Sequence, residues 1–535
     1  MSNFTQSLPE HYWEDVKVQE RDLEFLYNHL LELEMPQTSL ELTKALVTER
    51  INVEKKNLQD MHKGSGDVYL PKETYKVGQN LVFPALNWAK GKVNSIREGL
   101  NPDLPPFKVI EVALETGETK SFASSLEEHQ LNNPAQFDDN DPLLNETHVF
   151  QTYGKNISDK LTKTLEANPD LVLIAGSWFP RSLLIDVNIG HLNLAEAILE
   201  EAEGGPLPTT TIMSQVELPA NVNPKLKEFS MNLALQEDNR FDEVGPAGIT
   251  LWFLKRLEPP DVQNIPDLLK YKPVDYDAEN VKPLADQLDT QFYDELECKD
   301  DDGQDINDIT VSLIYPHWRA GTLPLTCSLA RLFPTAYEAP RVQFNFVDSE
   351  NRETFSGWVV RPHRYIYGLK AWFDAQSLMP GSLIQLHRGQ KPGEIMLEVQ
   401  KRRQNREWIR TILIGADGGI VYAMLKQLVT AAFDERMAIA IPDVAAVDQI
   451  WKQGKMQRTP LEQIVHTTMV ELAKLNPQGQ VHAQELYASV NVVRRCPPGP
   501  ILSVLMKSNE YTHLGDLYFR INDDWQEDET DAGRN

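Results

Sequence analysis

Cysteine is scarce in this 535-residue chain, with residues at 298, 327 and 496 only. Their wide separation makes neither a paired metal motif nor a disulfide framework, so reduced thiols are expected. Long apolar runs are missing as well. None approaches the roughly 20 residues that cross a bilayer, and the opening MSNFTQSLPEHYWED has neither the basic nor the apolar region of a secretory signal. A cytoplasmic protein is expected. Positive charge is also in short supply, with 52 Lys and Arg against 79 Asp and Glu and a net charge of −27. Phosphate binding depends on Lys and Arg displacing counterions, so this balance weighs against wholesale wrapping of nucleic acid while leaving local basic surfaces open.

Catalytic signatures are equally sparse. No phosphate-cradling P-loop, dinucleotide glycine pattern, His-Glu-x-x-His or Cys-x-x-Cys occurs. His317 lies near Cys327, but no recognisable third group orients the pair. The acidic runs Asp294 to Asp308 and Asp523 to Asp531 read as solvated, mobile segments rather than a rigid magnesium site. His191, His482 and His513 read as boundary or surface residues. The expectation is therefore a protein that is not an enzyme and needs no cofactor and no metal.

A hydrophobic share of 41% and a charged share of 24% are ordinary for a globular protein, and the length suggests roughly three to five domains. Residues 21–60 carry apolar positions three and four apart (Leu23, Leu26, Tyr27, Leu30, Leu31), the mark of one helix face, with Thr38 or Ser39 as a second N-cap. From Tyr75 to Leu126 the period changes to two, with frequent glycines and an ETGE hairpin signal, as in a small barrel of the SH3-like kind. Residues 259–308 are rich in Pro, Asp and Glu and read as a linker with some helix.

A short pattern recurs. Asn239-x-Phe241-x-x-Val244-Gly245 aligns with Asn509-x-Tyr511-x-x-Leu514-Gly515, and Trp252-Phe253-Leu254 with Tyr518-Phe519-Arg520. Each hairpin follows three helical segments, and GDVYL (Gly66 to Leu70) makes a third copy of the return limb. Three helices closed by a two-stranded ribbon form a winged helix. The last unit, with QVHAQELY (Gln480 to Tyr487) as its second-helix segment and Tyr511 to Phe519 as its wing, resembles the HARE-type winged helix-turn-helix of the RNA polymerase delta subunit and of chromatin- and restriction-associated proteins. The resemblance covers about 458–522, more loosely 190–257, and weakly 21–70. It implies DNA as the partner, with RNA polymerase or another protein beside it. Placing a third helix in the major groove nominates Arg494, Arg495, Ser503, Lys507 and Asn509 in the last unit. In the middle unit Lys225, Lys227 and Asn232 are countered by neighbouring acids. A winged helix used for protein contact is the other reading of both.

Between these units, residues 320–400 are strand-rich: Val342, Phe344 and Phe346 alternate, DSEN turns, and Trp358 to Val360 returns. With Tyr365, Trp372, Phe373 and Leu378-Met379-Pro380-Gly381 in order, the series resembles the plant-type B-three DNA-binding pseudobarrel. It departs at Ala371, where glycine is usual, and at Ser382, where Asp is usual. Trp358 and Trp372 are expected in the barrel core. Next comes KRRQNREWIR, in which Lys401, Arg402, Arg403, Arg406 and Arg410 make a basic strip that Arg361, His363, Arg364, His387, Arg388 and Lys391 extend, a candidate phosphate contact. A solvated face balancing the acidic linker is the other reading of the strip.

The expected fold is thus α+β and multidomain. It comprises an N-terminal helical, winged-helix-like unit (1–70), an SH3-like barrel (71–130), a middle winged helix (145–258), an acidic linker (259–308) and a pseudobarrel (309–400). A basic strip with a helical connection (401–457), a C-terminal winged helix (458–522) and an acidic tail (523–535) complete it. The expected function is DNA binding in transcription regulation without catalysis. A protein-interaction scaffold and the targeting component of a restriction or defence system are the alternatives.

Overall fold

A computed structural model of the chain describes residues 8–9, 11–63, 67–83, 86, 89–101, 105–115, 117–132, 141–246, 248–284, 291–297, 306–333, 339–415 and 419–522. The acidic tail and residues 298–305 of the acidic run lie outside the described residues. The protein is α+β and falls into two compact units, residues 1–185 with 221–229, and residues 186–220 with 230–535. No described helix is long and apolar enough to cross a membrane.

In the first unit, helix α1 (Glu20–Leu33) starts on a reciprocal cap between Gln19 and Asp22 and buries Leu26 and Leu30. Strand β1 (Gln37–Thr38) leads into α2 (Ser39–Lys63). The Thr38 hydroxyl accepts the Glu41 N–H at 3.2 Å, and the Glu41 carboxylate accepts the Thr38 N–H at 2.8 Å. That capping box fixes where the helix begins. Buried Arg50 of α2 reaches back to the buried Asp22 of α1, Nε to Oδ1 at 3.2 Å.

Five strands follow: β2 (Asp67–Val68), β3 (Asn80–Phe83), β4 (Ala89–Glu98), β5 (Lys108–Leu114) and β6 (Thr119–Ser124). They pair in chain order into one sheet over a core that includes Tyr69, Phe83, Ile110 and Val112. The chain then resumes with α3 (Glu146–Glu166) and the hairpin β7 (Leu171–Ile174) and β8 (Ser177–Pro180), and β8 pairs back onto β1.

The expected unit at 1–70 is therefore incomplete. Its third helix and its hairpin arrive only at 146–180, and the five-stranded sheet is inserted before them. GDVYL does not form that hairpin: β2 runs parallel to β3, Val68 beside Val82. Likeness of sequence does not choose a strand's partner; the available edge does.

The second unit opens with α4 (Ile189–Glu201), β9 (Leu207–Pro208), α5 (Thr209–Met213), α6 (Pro224–Glu237), β10 (Phe241–Glu243) and β11 (Leu251–Leu254). The unit boundary falls inside α6. Strands β10, β11 and β9 form one small sheet in that order.

A seven-stranded curled sheet follows, made of β12 (Asp308–Ser312), β13 (Thr322–Pro324), β14 (Arg341–Asp348), β15 (Thr354–Val360), β16 (Tyr365–Tyr367), β17 (Leu383–Arg388) and β18 (Glu394–Glu398). Its order is β12-β17-β18-β14-β15-β16-β13, with β14 and β18 parallel and the other pairs antiparallel. A separate long hairpin, β19 (Lys401–Ile414) with β20 (Ile420–Ala431), precedes the last set. That set is α7 (Leu461–Ala473), β21 (Gln480–His482), α8 (Ala483–Val493), α9 (Pro498–Lys507), β22 (Tyr511–Gly515) and β23 (Tyr518–Ile521), with sheet order β21-β23-β22.

The order helix, strand, helix, helix, hairpin, with the first strand paired to the last, thus occurs three times. Register makes Trp178, Trp252 and Phe519 equivalent, since they sit opposite Gln37, Leu207 and Val481, each two residues before the second helix begins. The Trp178 indole N–H donates to Ser39 Oγ at 2.9 Å, and that of Trp252 to Thr209 Oγ1 at 3.1 Å. Ser39 and Thr209 each open the second helix of their copy. In the last copy the ring is Phe519, with no N–H, and the matching helix opens on Ala483, with no hydroxyl. A buried donor and its acceptor are kept together or lost together, because either alone would be left unsatisfied. This register also moves the return limb by one residue, pairing Trp252 rather than Phe253 with Phe519. The copies differ in loop length, and a one-residue slip would turn the core ring to the other face.

Trp372 lies in the core of the curled sheet and donates to Asp348 Oδ2 at 2.7 Å. Trp358 is buried too, but outside that core. It packs edge-on against Phe253, ring centres 5.1 Å apart, among Val244, Val262 and Tyr365. The Gln343 N–H donates to the Val244 carbonyl at 2.8 Å, so the middle hairpin docks on the stretch of β14 that β18 leaves open.

The described residues between 259 and 297 do not behave as a solvated linker. They bury Val262, Leu269, Val281, Leu284 and Phe292 through helical turns at Pro260–Gln263, Asp267–Leu269 and Glu279–Leu284. Asp294 and Glu295, read as part of a mobile acidic run, are 4% and 3% exposed. They flank the guanidinium of Arg495, whose Nη2 lies 2.6 Å from Asp294 and 2.8 Å from Glu295. Cys496 is a buried free thiol. Cys327 is disulfide-bonded, against the expectation of three reduced thiols, since distance along the chain does not limit approach in space.

Arg495→Met leaves two buried carboxylates without their cation and should lower stability by about 3–5 kcal/mol, read as an earlier denaturant midpoint of the full chain. Glu243, the last residue of β10 in the docked middle hairpin, is pushed by burial from 4.5 up to about 7. A raised folded-state carboxyl favours the protonated form, so its contribution is present below about pH 4.5 and lost as pH rises through 7. Glu243→Gln is expected to flatten the fall in denaturant midpoint across that window.

Candidate nucleic-acid interface

The basic strip folds as the first half of β19. Lys401, Arg402, Arg403 and Arg406 are all exposed. Register breaks between Lys401 and Asn405, and such a bulge disrupts the alternation that would send neighbouring side chains to opposite faces. The Arg402 guanidinium carbon sits 5.3 Å from the Phe433 ring centre, a contact that orients the cation without neutralising it. Lys401 is paired with Glu350 at the surface.

The hairpin is held rigid by its other half. Ile412 and Tyr422 are buried in the C-terminal core, and the Ile412 N–H and the Ala440 N–H donate to the Ala440 and Arg410 carbonyls at 3.0 and 2.8 Å. Arg410, the last residue of the predicted strip, belongs to this anchored half. It is 7% exposed and gives its guanidinium to Glu485 and to the Arg436 carbonyl.

The other nominated residues are not gathered here. Arg361 and Arg388 are half-buried and donate to the Phe333 and Arg331 carbonyls, both at 2.7 Å. Burial lowers the Arg361 pKa. Arg364 is exposed but donates to the Glu295 carbonyl at 3.1 Å. Each spends part of its donor fork on backbone.

In the C-terminal set, Arg494 is buried and donates to the Thr459 carbonyl at 2.7 Å, and Arg495 is enclosed by Asp294 and Glu295. Ser503 is buried, with its hydroxyl 3.3 Å from the Asp277 carbonyl. Lys507 and Asn509 alone among these remain exposed. Helix α9, the groove-reading candidate, is covered by residues 274–284 and 291–297: the Gly499 N–H donates to Glu297 at 2.7 Å and Leu284 joins the same core. In the middle set, Asn232 is buried on Trp252 and Thr209, while Lys225 is exposed and Lys227 half-buried.

His317 and Cys327 make no nucleophile pair. His317 is fully buried, its Nδ1 2.9 Å from the Thr322 hydroxyl and its Nε2 3.2 Å from Glu295. Burial would raise the Glu295 carboxyl, but Arg495 and His317 outweigh it and hold the group well below the carboxylate range. His482, read as a boundary residue, is buried at the start of α8, where desolvation pushes it down to about 4.

Two residues beside the strip escape a reading of the sequence. Trp408 stands inside the basic run without an evident role, and Lys426 is remote along the chain; only strand pairing sets them opposite each other. No protein-family model, curated protein or solved structure matches the chain.

Proposed function

We propose that this protein binds nucleic acid without catalysis, in a transcription-associated role, and that the exposed half of the β19–β20 hairpin is its contact surface. The carrying observation is charge placement. In a chain of net charge −27, residues 401–431 hold six basic side chains and two acidic ones, and four of the basic ones stand exposed within residues 401–406. The thrice-repeated helix–strand–helix–helix–hairpin order supports a winged-helix reading, with an SH3-like barrel inserted in the first copy and a pseudobarrel in the seven-stranded sheet.

The third helix of the last copy is covered by the chain itself, so phosphate contact falls to the hairpin rather than to a groove-seated helix. The same covering favours the second reading, in which the winged helices serve as protein-docking modules and join the parts of one chain.

A salt-graded shift of a DNA duplex by the full chain tests the proposal. Arg402→Glu/Arg403→Glu/Arg406→Glu is expected to abolish the shift at moderate salt. In milder Ala form it should reduce the slope of log affinity against log salt by about 0.9 for each phosphate that is no longer neutralised. Binding that is unchanged in these variants, or insensitive to salt, rejects the assignment.

A further inference from the structure

Trp408 is 62% exposed, whereas every other described tryptophan is buried or half-buried. Burying an indole is strongly favourable, so one left open in the middle of an anchored hairpin stands out from the rest of the molecule. Its surroundings are specific. Trp408 pairs across the strands with Lys426, and Arg406 with Leu428. Positions two apart share a face, so these four side chains form one patch. The Lys426 Nζ sits 5.3 Å from the Trp408 ring centre, and Leu428 is 59% exposed. The same face runs inward to Ile412 and Tyr422, which are fixed in the C-terminal core, so the patch is carried on a rigid support.

The strip of Arg402, Arg403 and Arg406 suits the phosphates of any nucleic acid. The Trp408 face offers something that a paired duplex does not use. An intact helix keeps its bases stacked on one another, whereas an unpaired strand presents flat π-surfaces with a phosphate next to each. Stacking on an aromatic ring, with cations at the flanks, is the chemistry that holds such strands. Lys426 over the ring is unlike the centre of a protein interface, where lysine is depleted, and cations beside an open ring are what a strand of bases and phosphates requires.

We infer that this face binds single-stranded nucleic acid, with a base stacked on Trp408 and the neighbouring phosphates met by Arg406 and Lys426. The inference rests on the nucleic-acid reading above and narrows it to unpaired strands.

The test compares binding of the full chain to a labelled thymidine oligonucleotide of about 20 residues and to a duplex of equal length, by fluorescence anisotropy at one salt concentration. The wild type should prefer the single strand. Trp408→Ala should weaken single-strand binding about tenfold, within the range measured for one stacked base, and leave duplex binding within about twofold. Trp408→Phe should keep most of the affinity. Lys426→Glu, with the indole intact, should also weaken the single strand, and unchanged thermal melts identify variants that remain folded. Equal loss on both polymers, or no loss on the single strand, overturns the inference. Should the charge-reversed strip lose duplex binding while Trp408→Ala leaves the single strand untouched, only this inference fails; a wild type that binds neither polymer removes both. Self-association by light scattering that Trp408→Ala abolishes, without change in oligonucleotide affinity, would make the face a protein contact and overturn the inference as well.

Discussion

One buried guanidinium organises the larger unit. Arg495 reaches from the end of α8 to Asp294 and Glu295, and both carboxylates are shared: the Tyr487 hydroxyl donates to Asp294 at 2.6 Å, and His317 stands beside Glu295. Taking three charges out of water is costly unless each finds a partner of opposite sign and good geometry. The cluster therefore forms only when residues 292–297, helix α8 and the short helix Tyr315–Ala320 come together. Residues 274–284 and 291–297 are then drawn across α9, and the face that would otherwise have been free for a groove becomes interior.

That consequence shapes where function can reside. With α9 covered and Arg410, Arg494 and Arg495 committed to internal partners, positive charge is available at the surface mainly where the chain cannot neutralise it. The exposed half of the β19–β20 hairpin is such a place. Its strands are held at one end by the C-terminal core and at the other by contacts near Phe433, so the basic stretch projects without being loose. A site on paired strands is held more closely than one on a loop, which suits a surface that must meet regularly spaced phosphates.

The three copies of the small helical fold show how one topology accommodates different surroundings. The first carries a five-stranded sheet between its second and third helices. The second uses its hairpin to complete the open stretch of β14 and to cover Trp358. The third gives its third helix to the core. In the first two, a tryptophan N–H meets the hydroxyl that opens the second helix; in the third, phenylalanine faces alanine. Burial penalises an unmatched polar group more than it rewards a matched one, which is why the two positions change together.

Local chemistry was legible along the chain. The period-three and period-four face of α1, the alternation of Val342, Phe344 and Phe346 and the Thr38 cap follow from side-chain spacing and backbone preference, and the described residues carry them where the sequence placed them; the hairpins at 241–254 and 511–521 also form, with the return limb one residue from its sequence alignment. The exposure of Lys401 to Arg406 could be anticipated from a run of charges too dense to bury. The sequence could not say that Arg410, at the end of the same run, turns inward, because the switch depends on Glu485, 75 positions away. Nor could it say that Asp294 and Glu295 are an arginine's counter-ions rather than a solvated run, that 146–180 completes the fold begun at 20–63, or that Trp408 and Lys426 face each other. Propensity and pattern act over a few neighbouring residues and are written in their order. Charge pairing, strand register and the covering of a helix are decided by which distant surfaces meet, and that is set only when the whole chain closes on itself.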